Sequence, residues 1–83
     1  DVHRDPMVDA LIWLSEGGPL DASRRQSLVE AGPPFVERAS VGFVVVDRAR
    51  APDALRAFAI EAFALQLIDV DGVFELYRPA ALP

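Results

Sequence analysis

Residues 65–78 read LQLIDVDGVFELYR, and the way this stretch pairs with itself decides the fold. Two short apolar runs flank Asp71-Gly72. Asp-Gly is a favoured centre for a two-residue type I′ turn, in which both central positions need a positive φ. The reading is a hairpin with Val70 opposite Val73 and Leu67 opposite Leu76. Side chains alternate between the two faces of a strand. One face then carries Leu65, Leu67, Phe74 and Leu76. The other carries Gln66, Ile68, Val70, Val73, Glu75 and Tyr77. The first of these is expected to meet a helix.

That helix lies immediately upstream, over Pro52 to Ala64. Pro52 and Asp53 suit a first turn. Leu55, Phe58, Ala59 and Ala62 recur at helical spacing, and Phe63 widens the stripe. Arg56 and Glu61 mark the solvent side, and Ile60 falls between. Before the helix, Val41 to Val46 is an apolar run without alternation, the pattern of a strand covered on both faces. Strand, helix, strand and hairpin partner follow in order. A strand–helix–strand crossover makes its two strands parallel. The expected fold class is α/β: a small three-stranded mixed sheet, with a parallel pair and a C-terminal hairpin.

Two or three helices precede the sheet. Asp5 and Pro6 open the first, which carries Met7, Val8, Leu11, Ile12 and Leu14 and stops at Gly17-Gly18-Pro19. Trp13 lies at the edge of that stripe and reads as a packing residue. Asp21 caps the second, ASRRQSLVEA, whose buried side is Leu28 and Val29 with Ala22 and Ala31. It ends at Gly32 and two prolines. PFVERAS adds one or two turns, with Phe35, Val36 and Ala39 inward. These helices are expected to cover the sheet face that the later helix leaves. Residues 1–5 and 79–83 read as frayed ends of a single domain spanning 1–83.

With 83 residues the chain has room for one modest core. Hydrophobic residues make up 52 %, too many for a disordered segment. Thirteen acidic and eight basic residues give a net charge of −5, which argues against nucleic acid or anionic lipid as partners. All eight cations are Arg, and there is no Lys, Asn, Thr or Cys, a bias expected of a GC-rich genome. Without Cys, neither disulfides, zinc–thiolate sites nor thiol catalysis arise. No apolar run reaches the roughly 18 residues a membrane span needs. The chain opens on Asp1 and not on Met, as expected of a processed chain or, the reading favoured here, of a piece excised from a larger protein.

Chemistry is sparse. The turn after the Val41–Val46 strand is DRARAPDA, without glycine, and Gly42 stands before the strand. A dinucleotide or P-loop fingerprint needs its glycines after the strand, where backbone approaches phosphate. Arg48 and Arg50 remain as candidate anion ligands near the N-terminus of the helix that follows. Asp47 joins them because ligand sites in open α/β sheets favour the carboxyl ends of parallel strands. Each has a simpler reading: Asp47 starts a turn, and the arginines are solvated. Asp69-Val70-Asp71-Gly72 lacks the further oxygen ligands of a calcium loop. No metal or cofactor is expected. His3 is the only histidine, and Ser15, Ser23, Ser27 and Ser40 sit in no catalytic motif. Glu16, Glu30, Glu37, Glu61 and Glu75 read as scattered solvated or capping groups.

Three features together carry a family resemblance. They are Val41-Gly42-Phe43-Val44-Val45-Val46-Asp47, the helix opened by Pro52, and Asp71-Gly72-Val73-Phe74-Glu75-Leu76-Tyr77-Arg78. In this order they resemble the soluble extracytoplasmic C-terminal domain of bacterial multi-pass membrane proteins of the glycosyltransferase type, which use polyprenyl-phosphate sugars. The likeness runs over residues 41–83, and DPMVDALIWLSEGG upstream is compatible with it. The family's catalytic carboxylates lie near the start of the whole protein, so no catalytic residue carries over. The resemblance implies a non-catalytic accessory domain at the cell membrane, on its outer side. It would aid assembly or acceptor binding, with the transmembrane part of the same polypeptide as partner and a glycan or lipid-linked sugar as ligand. The alternative is a free-standing protein-interaction domain.

Overall fold

The computed structural model describes residues 5–80 as α1 (Pro6–Ser15), α2 (Ala22–Glu30), α3 (Gly32–Arg38), β1 (Val44–Asp47), α4 (Asp53–Ala62), β2 (Leu65–Asp71) and β3 (Phe74–Pro79). Fraying at 1–4 and 81–83, and His3, fall outside the described residues. Asp5, Pro79 and Ala80 are not frayed. Asp5 caps α1 and pairs with Arg38, Pro79 ends β3, and the Ala80 amide donates to the Ala64 carbonyl at 2.9 Å.

The helix ends follow their sequence signals. Asp5 Oδ1 accepts from the Met7 amide at 2.9 Å, and Asp21 Oδ1 accepts from the Arg24 amide at 2.8 Å. At the end of α1 the Gly18 amide donates to the Trp13 carbonyl and the Gly17 amide to that of Leu14, a Schellman closure with Gly17 at φ +85°. Gly32 does not terminate a helix. Ala31 closes α2, and Gly32 opens α3, whose two prolines fit the first turn. Of the residues expected inward here, Leu28 and Val36 are buried and Val29 and Phe35 are half-buried. Ala22, Ala31 and Ala39 are exposed.

The sheet is α/β in class and three-stranded, and helices pack on it, but it is not mixed. Its order is β1-β3-β2, and both ladders are antiparallel. The α4 crossover does leave β1 and β2 running the same way. β3 inserts between them, so the parallel pair never forms hydrogen bonds.

The hairpin register differs too. Val70 pairs with Glu75 and not with Val73, two residues along. Past the extra Ile68, Leu67 pairs with Tyr77 and not with Leu76, one residue along. Asp71 pairs with Phe74, so the two turn residues are Gly72 and Val73. Gly72 has φ +61° and Val73 has no positive φ, the combination of a type II′ turn with Gly first. A one-residue slip exchanges the two faces of a strand. Glu75 and Tyr77 therefore face α4 and are buried, whereas Phe74 is exposed and Leu76 only half-buried on the opposite face. Ile68 is an extra residue in β2, between the pairs Leu67–Tyr77 and Asp69–Leu76. This bulge keeps Leu65 on the helix side despite the shift.

α4 is the centre of the molecule. Phe58, Ala59, Ala62 and the following Phe63 are buried between the sheet and the N-terminal helices. Met7, Ala10 and Leu14 of α1 and Leu28 of α2 complete that side, and Phe63 stacks on Phe35 with ring centroids 5.7 Å apart. The N-terminal helices thus pack on the far side of α4, and the second face of the sheet is left open. Only Val46 of the Val41–Val46 run is buried, and Val45 is 65 % exposed.

α3 meets α4 backbone to backbone at Gly32, where a Cβ would stand 1.6 Å from the Ala62 carbonyl oxygen. Gly32→Ala is expected to cost about 1–3 kcal/mol by forcing the two apart, read as a Tm fall of about 4–8 °C per kcal/mol. Gly42→Ala is the control. A Cβ there meets nothing within 4 Å, and its Tm should hold or rise slightly.

Candidate functional site

The helix-facing side of the sheet brings together Glu75, Tyr77, Arg56 and Arg48. Register puts Glu75 and Tyr77 two residues apart on β3, on the same face. Arg56 stands one turn into α4, within reach of both. Its guanidinium grips Glu75 with both forks, Nε to Oε1 at 2.7 Å and Nη2 to Oε2 at 3.0 Å. The Tyr77 hydroxyl donates to Glu75 Oε1 at 2.7 Å and accepts from Arg56 Nη2 at 3.3 Å. Arg48 Nε lies 3.8 Å from Glu75 Oε2. Arg56 therefore does not belong to the solvent side, and Glu75 is not a solvated carboxylate.

The geometry explains the acid–base properties of the cluster. The Arg56 hydrogen bonds, and then that of Tyr77, hold the Glu75 carboxyl down to about 2 against the opposing effect of burial. Burial, then the Glu75 carboxylate, pushes the Tyr77 hydroxyl above its ordinary value. Glu75 pulls the Arg56 guanidinium further up. Nothing here is poised to exchange a proton near neutrality. Among the described residues no buried side-chain nitrogen or oxygen lacks a partner. The cluster is a fastener between α4 and β3.

The three ligand candidates from the sequence lie at the adjacent corner, and the structure separates them. Asp47 ends β1 and builds its turn: Oδ1 accepts from the Ala49 amide at 2.9 Å, and its carbonyl accepts from Arg50 and Ala51. Arg48 turns inward and donates through Nη2 to the Gly72 carbonyl at 2.7 Å, tying the β1 end to the hairpin turn. Arg50 turns outward, its side chain 89 % exposed, with Nε 3.7 Å from Asp47 Oδ2. The parallel-strand argument for Asp47 lapses, because β1 is paired antiparallel. Pro52 provides no side-chain cap at the start of α4, and a shallow recess of about 340 Å³ opens there between Arg48, Ala51, Asp53 and Arg56.

Two further features escaped the sequence reading. An apolar groove of about 380 Å³ runs along the free edge of β1, between Leu11 and Ile12 of α1 and Leu55 and Ala59 of α4. The open sheet face presents Val45, Phe74 and Leu76 to solvent. Both follow from the placement of every helix on one side. Trp13 is half exposed, lies against Gly18, and donates Nε1–H to the Pro19 carbonyl at 2.7 Å, consistent with packing. Among the described residues no group of three or more His, Cys, Asp or Glu side chains is placed to hold a metal ion, and no helix is long and apolar enough to cross a membrane.

No protein-family model, curated protein or solved structure matches this chain. Its functional reading therefore comes from its own geometry and from the resemblance over residues 41–83.

The Glu75 cluster sets a pH dependence. A carboxyl held at about 2 in the fold and at 4.5 when unfolded adds stability that is complete above 4.5 and lost as pH falls towards 2. Thermal melts from pH 7 to pH 2 should show this acid loss in the native chain. Glu75→Gln should lower Tm at pH 7 and flatten the slope below 4.5. A native slope unchanged by Glu75→Gln would contradict the assignment.

Proposed function

We propose that this chain is a non-catalytic accessory domain of a membrane glycosyltransferase-like protein, held on the extracytoplasmic side of the cell membrane. Its work there is assembly, with the transmembrane part of the same polypeptide as its covalent neighbour. The resemblance of Val41–Asp47, the Pro52 helix and Asp71–Arg78 supports the setting. The observation that carries the assembly role is the open sheet face, where Val45 and Phe74 are exposed on strands otherwise built for a core. Apolar surface grouped on one face marks a contact surface.

Acceptor or lipid-linked sugar recognition at Asp47, Arg48 and Arg50 is the less favoured role for the same domain. Arg48 is already engaged with Gly72 and Glu75, and Asp47 with its own turn. A free-standing protein-interaction domain is the second reading, because an open apolar face serves a partner equally well without a membrane.

Two measurements separate these readings. The full reading frame is expected to encode several apolar spans of about 20 residues upstream of Asp1. A short frame starting near Asp1 would leave only the free-standing domain. Titration with a short-chain prenyl-phosphate sugar should leave the NMR amide signals of residues 47–53 in place. Saturable shifts there would move the role from assembly to ligand recognition.

A further inference from the structure

The open face of the sheet carries apolar and charged side chains in a fixed order. Register arranges its side chains in rows across the strands. Asp47, Phe74 and Asp71 form the row beside the hairpin turn. Val45, Leu76 and Asp69 form the middle row. Arg78 and Gln66 form the third, which Phe43 extends by alternation beyond Val44. Phe43 is 67 %, Val45 65 % and Phe74 50 % exposed. Read along β3 alone, the face offers an aromatic ring flanked by two aspartates, then a leucine, then an arginine.

We propose that this face binds a second copy of the chain, face to face, about a two-fold axis that crosses the strands at Leu76. The inference rests on the assembly reading above and names the partner. Rotation about that axis reverses the order of the rows and lays each strand over its own copy. Leu76 meets Leu76 and Val45 meets Val45 in a dry centre. Each Arg78 descends on the Phe74 ring of the second copy, between that copy's Asp47 and Asp71. It gains a cation–π contact and two opposite charges together. An axis along the strands would instead set Arg78 on Arg78 and Asp47 on Asp71, with like charges in contact. The same rotation sets Asp69 over Asp69 on the outer strand β2, a like-charge pair that lies in the wet rim where water and salt screen it.

The area sets the class of interface and not its affinity. Strands of four, seven and six residues give a face of about 14 by 18 Å and on the order of 500 Å² of accessible surface per copy. About 1,000 Å² in total lies at the lower limit of specific interfaces, among the weak ones, and a Kd on the order of 100 µM is expected of that class. Tethering beside a membrane raises the effective concentration to the order of millimolar, where such a dimer is populated.

Sedimentation equilibrium of the 83-residue chain, from about 10 µM to 1 mM around that Kd, tests this directly. The average mass should climb from 9.0 kDa towards twice that value. Leu76→Asp and Arg78→Asp should each weaken association by about tenfold or more, with near-ultraviolet circular dichroism unchanged. The double variant Arg78→Asp/Asp71→Arg should recover part of it, because the exchanged charges again meet across the axis while Asp47 is unchanged. Constant monomer mass at the highest concentration overturns the dimer. Association indifferent to both single variants places it on another surface, such as the β1 edge, and overturns it too. Failure of the double variant overturns the two-fold arrangement. A photo-crosslinker at Phe74 in cells keeps the two readings apart. Crosslinks to a different polypeptide segment would remove the dimer and keep the assembly role, and an absence of crosslinks would remove both.

Discussion

The grip of Arg56 on Glu75 is the contact on which the remaining architecture depends. A carboxylate buried in so small a domain is strongly unfavourable unless it is paired and hydrogen-bonded. Here both oxygens are taken, by a two-pronged guanidinium and a tyrosine hydroxyl. The contact joins a helix to the middle strand of the sheet, and it acts on register as well as on cohesion. Were β3 shifted by one residue, Glu75 would turn to the open face and Leu76 would lie beneath the guanidinium. Arg56 would then be left among apolar side chains without an acceptor. The ionic contact thus discriminates between two pairings that are otherwise close in apolar content.

This accounts for what was legible in the sequence. Helix boundaries rest on local chemistry, and Asp5, Asp21 and the Gly17-Gly18 pair were readable because their hydrogen bonds reach only a few residues. The Phe58, Ala59, Ala62 stripe was readable because helical spacing is a strong signal. The hairpin existed where expected, but its register was not local. Asp71-Gly72 favours one turn, and Phe74 with Leu76 looks the better face to bury. The deciding partner, Arg56, stands 19 residues away in sequence from Glu75. One signal was available: Arg56 occupies the same helical row as Ala59 and Phe63, which is an odd place for a solvated cation. The apolar run of β1 misled for a related reason. Val45 serves a surface that no element of the described residues covers, so its character could not be told from that of a core residue. At the candidate corner, the sequence put Asp47, Arg48 and Arg50 together, and only side-chain direction separated them.

One-sided helix placement also gives the domain two unlike surfaces. The helical side is charged and closed by pairs such as Arg25 with Glu61 and Arg38 with Asp5. The sheet side carries its apolar groups in the open, framed by Asp47, Asp69, Asp71 and Arg78. Apolar groups gathered on an exposed sheet face invite association. Charges at fixed row positions make one geometry preferable to the others. An acidic chain with a single outward arginine on that face therefore has a directional surface, where an unmarked apolar one would be merely adhesive.

The bulge at Ile68 bears on how the strand pairing is chosen. A hairpin closed by its turn alone is free to choose either pairing, since its two strands lie next to each other in the chain and form quickly. The extra residue in β2 lets Leu65 stay inward in the final pairing. Yet nothing inside the hairpin makes that pairing the better one. The preference comes from α4, which offers its guanidinium to Glu75. Strand pairing and helix docking thus depend on each other in this domain, and a chain without the Arg56 guanidinium loses a main reason to prefer this register.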